Sequence, residues 1–191
     1  NLELGDFYFH QGKKGKALKK YLKAKKNAVK AKNDSLKSIS TVRLGLIKAS
    51  NKDFKDAIKL YKYSLDYYKT PINKNEFYEY CSILFNLSNS FKSLKLYDSA
   101  YYYNNKVYLI AVKHKDSIII GYANYNKGTI SYKKQEYASA IDFFRNSISF
   151  IKLDENYYIL SNSYLKLGKS YTKLNDKKNT LKYYHKIDSL F

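Results

Sequence analysis

The stretch Asp53-Phe-Lys-Asp-Ala-Ile-Lys-Leu-Tyr-Lys-Tyr-Ser-Leu-Asp-Tyr-Tyr68 decides the fold. Ala57, Leu60, Tyr61, Ser64, Leu65 and Tyr68 recur at three- and four-residue steps, so they share one face of a helix. Lys55, Asp56, Lys59, Lys62 and Asp66 take the opposite face. The small Ala57 among large neighbours marks a close approach of two helix backbones, where a bulky side chain would overpack. The spacing predicts that Gly45 of the preceding helix meets Ala57 at that crossing.

The stretch is one copy of several. Residues 4–24 align with 44–64: Leu-Gly opens each (Leu4-Gly5 and Leu44-Gly45), alanine follows at 17 and 57, and tyrosine at 21 and 61. A third copy at 87–107 keeps Leu87, Ser88, Phe91 and Ala100. A fourth at 127–147 keeps Gly128, Ala140 and Phe144. The fifth, 167–187, keeps Leu167, Gly168, Tyr171 and Tyr184, with Thr180 in the alanine slot. The small residue thus returns at 5, 45, 88, 128 and 168, in steps of 40, 43, 40 and 40. Such a period marks a repeat array. Each unit reads as two helices, with turns at Gly12–Gly15, at Ser50–Asp53 and at Lys173–Asp176. A further break at 69–75 holds Pro71 and the three extra residues. No stretch alternates in strand fashion, so an all-α chain is expected, in units of about 1–34, 35–75, 76–117, 118–156 and 157–191.

Leu-Gly-x-x-aromatic, then alanine, then an aromatic four residues on, resembles the tetratricopeptide repeat (TPR). The first unit shows it as Leu4, Gly5, Tyr8, Ala17, Tyr21 and Ala24, and an aromatic three before the alanine (Phe54, Tyr97, Tyr137) also fits. The resemblance covers essentially the whole chain. The units are longer than the family's roughly 34 residues; tryptophan is missing, and proline between units is mostly absent. A 40-residue period also suits HEAT or armadillo repeats, which would not explain the Leu-Gly and alanine phasing. Long units of this kind resemble those of bacterial signalling proteins, where TPR regions join sensor kinases or DNA-binding regulators. The resemblance implies an α-α superhelix, or solenoid, of about five units that binds a protein or peptide. In the family, the first helix of each unit lines the concave face.

Three stripes are candidates for that groove. Asn86, Asn89 and Ser93 share a face of one helix; Tyr122, Tyr125, Thr129 and Tyr132 share a face of another; Asn162, Lys166, Lys169 and Lys173 share a face of a third. Amides bond an extended peptide backbone, tyrosines offer area with a polar end, and lysines attract carboxylates, so an acidic segment is the expected partner. The plainer reading is an ordinary solvated surface.

Composition limits the alternatives. The formal charge is +20, yet of 36 basic residues only Arg43 and Arg145 are arginine. Readers of bases and phosphates favour arginine's planar fork. Lysine, asparagine, tyrosine, isoleucine and phenylalanine share AT-rich codons, so much of the charge reads as compositional bias. Electrostatic binding of nucleic acid or another polyanion is the alternative function. Cys81 is the single cysteine, in the apolar run Cys-Ser-Ile-Leu-Phe, and reads as a buried thiol. His10, His114 and His185 have no metal-ligand spacing, and no phosphate loop or nucleophile elbow occurs. An enzyme is therefore not expected, and no cofactor is implied. The two glycosylation sequons, at Asn33 and Asn86, read as chance. No apolar run approaches a membrane span. The opening residues read as neither initiator methionine nor signal peptide, so the chain is expected to be part of a longer bacterial protein, cytoplasmic or periplasmic. Ile187, Leu190 and Phe191 are expected to leave an open apolar edge that favours end-to-end self-association.

Overall fold

The computed structural model describes residues 1–68, 73–151 and 157–190. Among them lie α1 (Leu2–His10), α2 (Lys14–Lys30), α3 (Asp34–Ser50), α4 (Phe54–Leu65), α5 (Lys74–Ser93), α6 (Tyr97–His114), α7 (Ser117–Lys133), α8 (Tyr137–Phe150), α9 (Tyr157–Lys173) and α10 (Lys177–Asp188). No strand occurs among the described residues. The break expected around Pro71, and Phe191 of the expected edge, lie outside them. The chain divides into two compact units, one of residues Asn1–Leu96 and one from Tyr97 onward.

The turns share one device. Gly12, Lys32, Lys52, Lys95, Lys115, Gln135 and Asn175 all have positive φ, between 51° and 72°. Each closes a helix with a paired bond of the Schellman kind: Lys52 N–H donates to the Ala49 carbonyl (2.9 Å) and Asp53 N–H to the Lys48 carbonyl (2.9 Å). The residue after the left-handed position begins the next helix. Asn33, Asp116 and Asp176 do so with their side chains, which accept the N–H groups of Leu36, Ile119 and Asn179. That backbone bond, first, holds the Asp176 carboxyl below its ordinary range. Glycine occupies the left-handed position at Gly12, whereas lysine or glutamine there works against its Cβ. Lys52→Gly and Gln135→Gly are therefore each expected to gain roughly 0.5–1 kcal/mol, after the entropy that glycine adds to the unfolded chain. Urea unfolding checks this, and a neutral or destabilising result would show that the turns are not left-handed in solution.

Glycine and aromatic meet at the crossings. A Cβ added to Gly5 would lie 2.4 Å from the Tyr21 ring, one on Gly45 2.5 Å from Tyr61, one on Gly128 2.7 Å from Phe144, and one on Gly168 2.3 Å from Tyr184. The residue opposite Gly45 is thus Tyr61 and not the expected Ala57. The ring fills the space beside the bare glycine backbone, while Ala57, one turn earlier and fully buried, leaves room for the helices to approach. By alignment of the repeats, Ser88 of the first unit takes the glycine slot and Asn104 of the second takes the aromatic slot, and both are fully buried. Asn104 Nδ2 donates to the Ala123 carbonyl (2.8 Å).

Small polar residues form further contacts inside each unit. Ser38 and Ser64 donate to each other's carbonyls (3.2 Å each), and Ser147 Oγ donates to the Gly121 carbonyl (2.9 Å). Cores follow the repeat. Ala17, Tyr21, Leu44 and Ile47 cluster in the first unit; Ala140, Ile141, Phe144, Leu167, Tyr171 and Tyr183 cluster in the second. Cys81 is buried within α5. Leu190 packs partly against Ile151, Ile159 and Leu160.

Candidate functional site

In the second unit the structure brings the aromatic and lysine stripes together. α7 carries the tyrosines and α9 the lysines, and Lys166 Nζ sits 5.5 Å over the Tyr132 ring. The tyrosines are half-buried and do structural work as well. Tyr122 and Tyr125 pack on Ile151, Ile159 and Leu160, and Tyr125 also meets Phe144 with ring centroids 5.8 Å apart. Tyr132 meets Tyr137 at 5.4 Å. Burial raises the Tyr125 phenol above its ordinary value. Thr129 and Asn162 turn back on their own helices, donating to the carbonyls of Tyr125 (3.0 Å) and Tyr158 (2.7 Å).

The lysines at this face repel one another. Burial first, then Lys169 and Lys133, lower the Lys166 ammonium below its ordinary value. Lys133, Lys169 and Lys173 are exposed. Among the described residues, none of these four has a carboxylate within ion-pair distance. An anion placed between them would relieve the repulsion and find tyrosine surface beside it.

The amide stripe lies in the first unit, on α5. Asn89 and Ser93 are exposed, and Asn86 is half-buried, its carbonyl accepting the Ser90 hydroxyl (2.8 Å). Sequence reasoning missed a charged ladder in this unit. Arg43 on α3 donates through Nε to Asp6 on α1 (3.0 Å), and its Nη2 lies 3.9 Å from Glu79 on α5. Tyr21 donates its hydroxyl to the same Asp6 (2.6 Å). The first helix of three successive pairs is tied in this way. The rarity of arginine in the chain was the available signal.

Sequence reasoning also passed over Lys127. It fills the slot of the repeat's leucine and is 5% exposed. Its ammonium sits 3.9 Å from the Tyr108 ring centroid, with Tyr101 and Phe143 at 5.5 and 5.8 Å. The rings offer their negative faces to the cation, while burial lowers its ionisation below the ordinary value. Among the described residues no group of three or more His, Cys, Asp and Glu could hold a metal ion, and no helix is long and apolar enough to cross a membrane.

No protein-family model matches the chain, and no curated protein matches it. Solved structures do. The TPR-like repeats of a putative kinesin light chain from P. anserina superpose with a TM-score of 0.79 at 11% identity, over 98% of this chain and 91% of that one. Aspartyl phosphate phosphatase F from Bacillus subtilis gives 0.86 at 18%, over 99% and 49%. The Rap conjugation gene regulator of plasmid pLS20, in complex with a Phr peptide, gives 0.77 at 17%, over 96% and 50%. The fold is that of TPR-type helical repeats. The chain spans about half the length of the latter two proteins.

Proposed function

We propose that the chain is a protein- or peptide-binding repeat scaffold, the interaction region of a bacterial signalling or regulatory protein, with no catalytic role of its own. We place the binding face on α7 and α9, where Tyr122, Tyr125, Thr129 and Tyr132 adjoin Asn162, Lys166, Lys169 and Lys173. The ligand is an extended segment rich in carboxylates. Asn86, Asn89 and Ser93 on α5 are a separate patch of the first unit, able by itself to bond an extended peptide backbone. The observation that carries this reading is the group of lysines around Lys166, with no carboxylate in ion-pair distance among the described residues, beside half-buried tyrosines. The peptide complex of the pLS20 regulator, on the same fold, supports a peptide as the ligand class.

A short fluorescein-labelled polyglutamate peptide is the probe. Lys166→Gln with Lys169→Gln is expected to weaken its binding about tenfold, from two lost charge contacts. Lys59→Gln with Lys62→Gln, on α4, is expected to leave it unchanged. Equal losses at both pairs would overturn the site and point to diffuse polyanion attraction, whose affinity falls steeply with salt. Tyr125 is not a clean reporter, because its truncation also removes a contact with Phe144.

A further inference from the structure

We propose that the outer face of α2 docks the protein onto an anionic lipid surface. Two parallel stripes run the length of this helix. Lys16, Lys19, Lys23, Lys26 and Lys30 recur at steps of three and four residues, and all are exposed. Beside them run Leu18, Leu22 and Val29, which are 37%, 51% and 53% exposed. The helix contains no acidic residue. Ala17, Tyr21 and Ala28 form its buried face, so neither stripe is committed to the core.

The charge of this face is uncompensated. A few lysines on other helices find carboxylates: Lys37 lies 3.6 Å from Asp34, Lys48 3.5 Å from Asp53 and from Asp56, and Lys134 3.1 Å from Glu136. Among the described residues no lysine of α2 is in an ion pair. Coding bias would scatter lysines, but it does not explain five in one stripe with acidic residues excluded from the same helix.

The apolar stripe selects the partner. A nucleic acid or a polyacid would bond the ammonium groups and leave Leu18, Leu22 and Val29 in water. A lipid interface takes both: the ammonium groups lie among headgroup phosphates and carboxylates, and the aliphatic side chains enter the acyl boundary. The binding is peripheral and needs no spanning segment.

Sedimentation with vesicles of phosphatidylcholine containing about a third phosphatidylserine tests this on the whole chain. Binding is expected to phosphatidylserine vesicles and not to phosphatidylcholine alone, and to fall as salt rises. Lys19→Gln, Lys23→Gln and Lys26→Gln together are expected to weaken it roughly a hundredfold, from a factor of about five for each lysine near the surface. Leu18→Ser with Leu22→Ser is expected to weaken it about tenfold while circular dichroism stays unchanged. Lys166→Gln with Lys169→Gln is expected to have little effect, which separates this face from the one proposed for peptide. Retained binding in the triple lysine variant would overturn the proposal. So would leucine variants that bind as well as the parent, since the face would then be a polyanion site indifferent to lipid.

Discussion

Phe144→Ala is expected to cost about 3–5 kcal/mol of unfolding free energy, and Gly128→Ala about 1–3. The Phe144 ring is fully buried and lies against bare Gly128 backbone and the Tyr125 ring. Truncation leaves a cavity that helices α7 and α8 can collapse into only in part. A methyl on Gly128 would meet the ring 2.7 Å away, and a fully buried ring has nowhere to move. In the double variant the methyl grows into the vacated space. Its penalty is therefore expected to shrink by about 1 kcal/mol or more, a coupling that urea unfolding of the four proteins measures directly. Gly168→Ala is the contrast. Its partner Tyr184 is only half-buried and can swing outward, so a smaller loss is expected. Strictly additive losses for Gly128 and Phe144 would mean that the ring and the glycine do not touch.

The repeat was legible because close backbone approach can be served by few residues. Glycine under an aromatic recurs in four of the repeats, and that phasing predicts the helix pairs. The partner at the crossing was not legible. Periodicity assigns residues to a face, whereas which residue of that face opposes Gly45 depends on how far one helix slides along the other, and the answer is Tyr61. The left-handed turns were hidden for a different reason. Lys52, Lys95 and Gln135 have no turn preference, and only their hydrogen bonds reveal the conformation. Spacing grouped the lysines of α9 and the tyrosines of α7 separately, each on its own helix. It could not tell that Lys166 reaches Tyr132, because that contact joins neighbouring repeats. The ladder of Asp6, Arg43 and Glu79 fails on the same ground: the three occupy non-equivalent positions in their repeats, so no alignment of the repeats brings them together.

Raising the pH past 10 is expected to unfold the protein, and Tyr61→Phe is expected to delay that loss. Burial drives the Tyr61 phenol well above its ordinary value of 10. Burial first, then the hydrogen bond from Tyr21 to Asp6, does the same for Tyr21. Burial first, then the charge of Glu79, pushes Tyr68 up to about 12. In each case the folded value lies above the unfolded one, because the fold favours the neutral phenol. From pH 10 upward the unfolded chain gives up these protons while the fold retains them. The unfolded state then binds fewer protons, so stability falls as pH rises. For Tyr61 the fall is about 1.4 kcal/mol per pH unit until its folded value is reached, and none of it is present at neutral pH. Among the described residues the buried Tyr61 hydroxyl has no hydrogen-bond partner. Removing it therefore also relieves an unmet donor, worth about 1 kcal/mol at any pH, and Phe144 already fills the same position in the fourth repeat. Tyr21→Phe is expected to act in the opposite sense at neutral pH, losing about 1–2 kcal/mol with the bond to Asp6. Melting temperatures at neutral pH and near pH 11, with phenolate absorbance followed alongside, separate the two tyrosines. If Tyr61→Phe melts below the parent at neutral pH and loses as much stability in alkali, the Tyr61 hydroxyl has a partner in solution and the assignment of its burial is wrong.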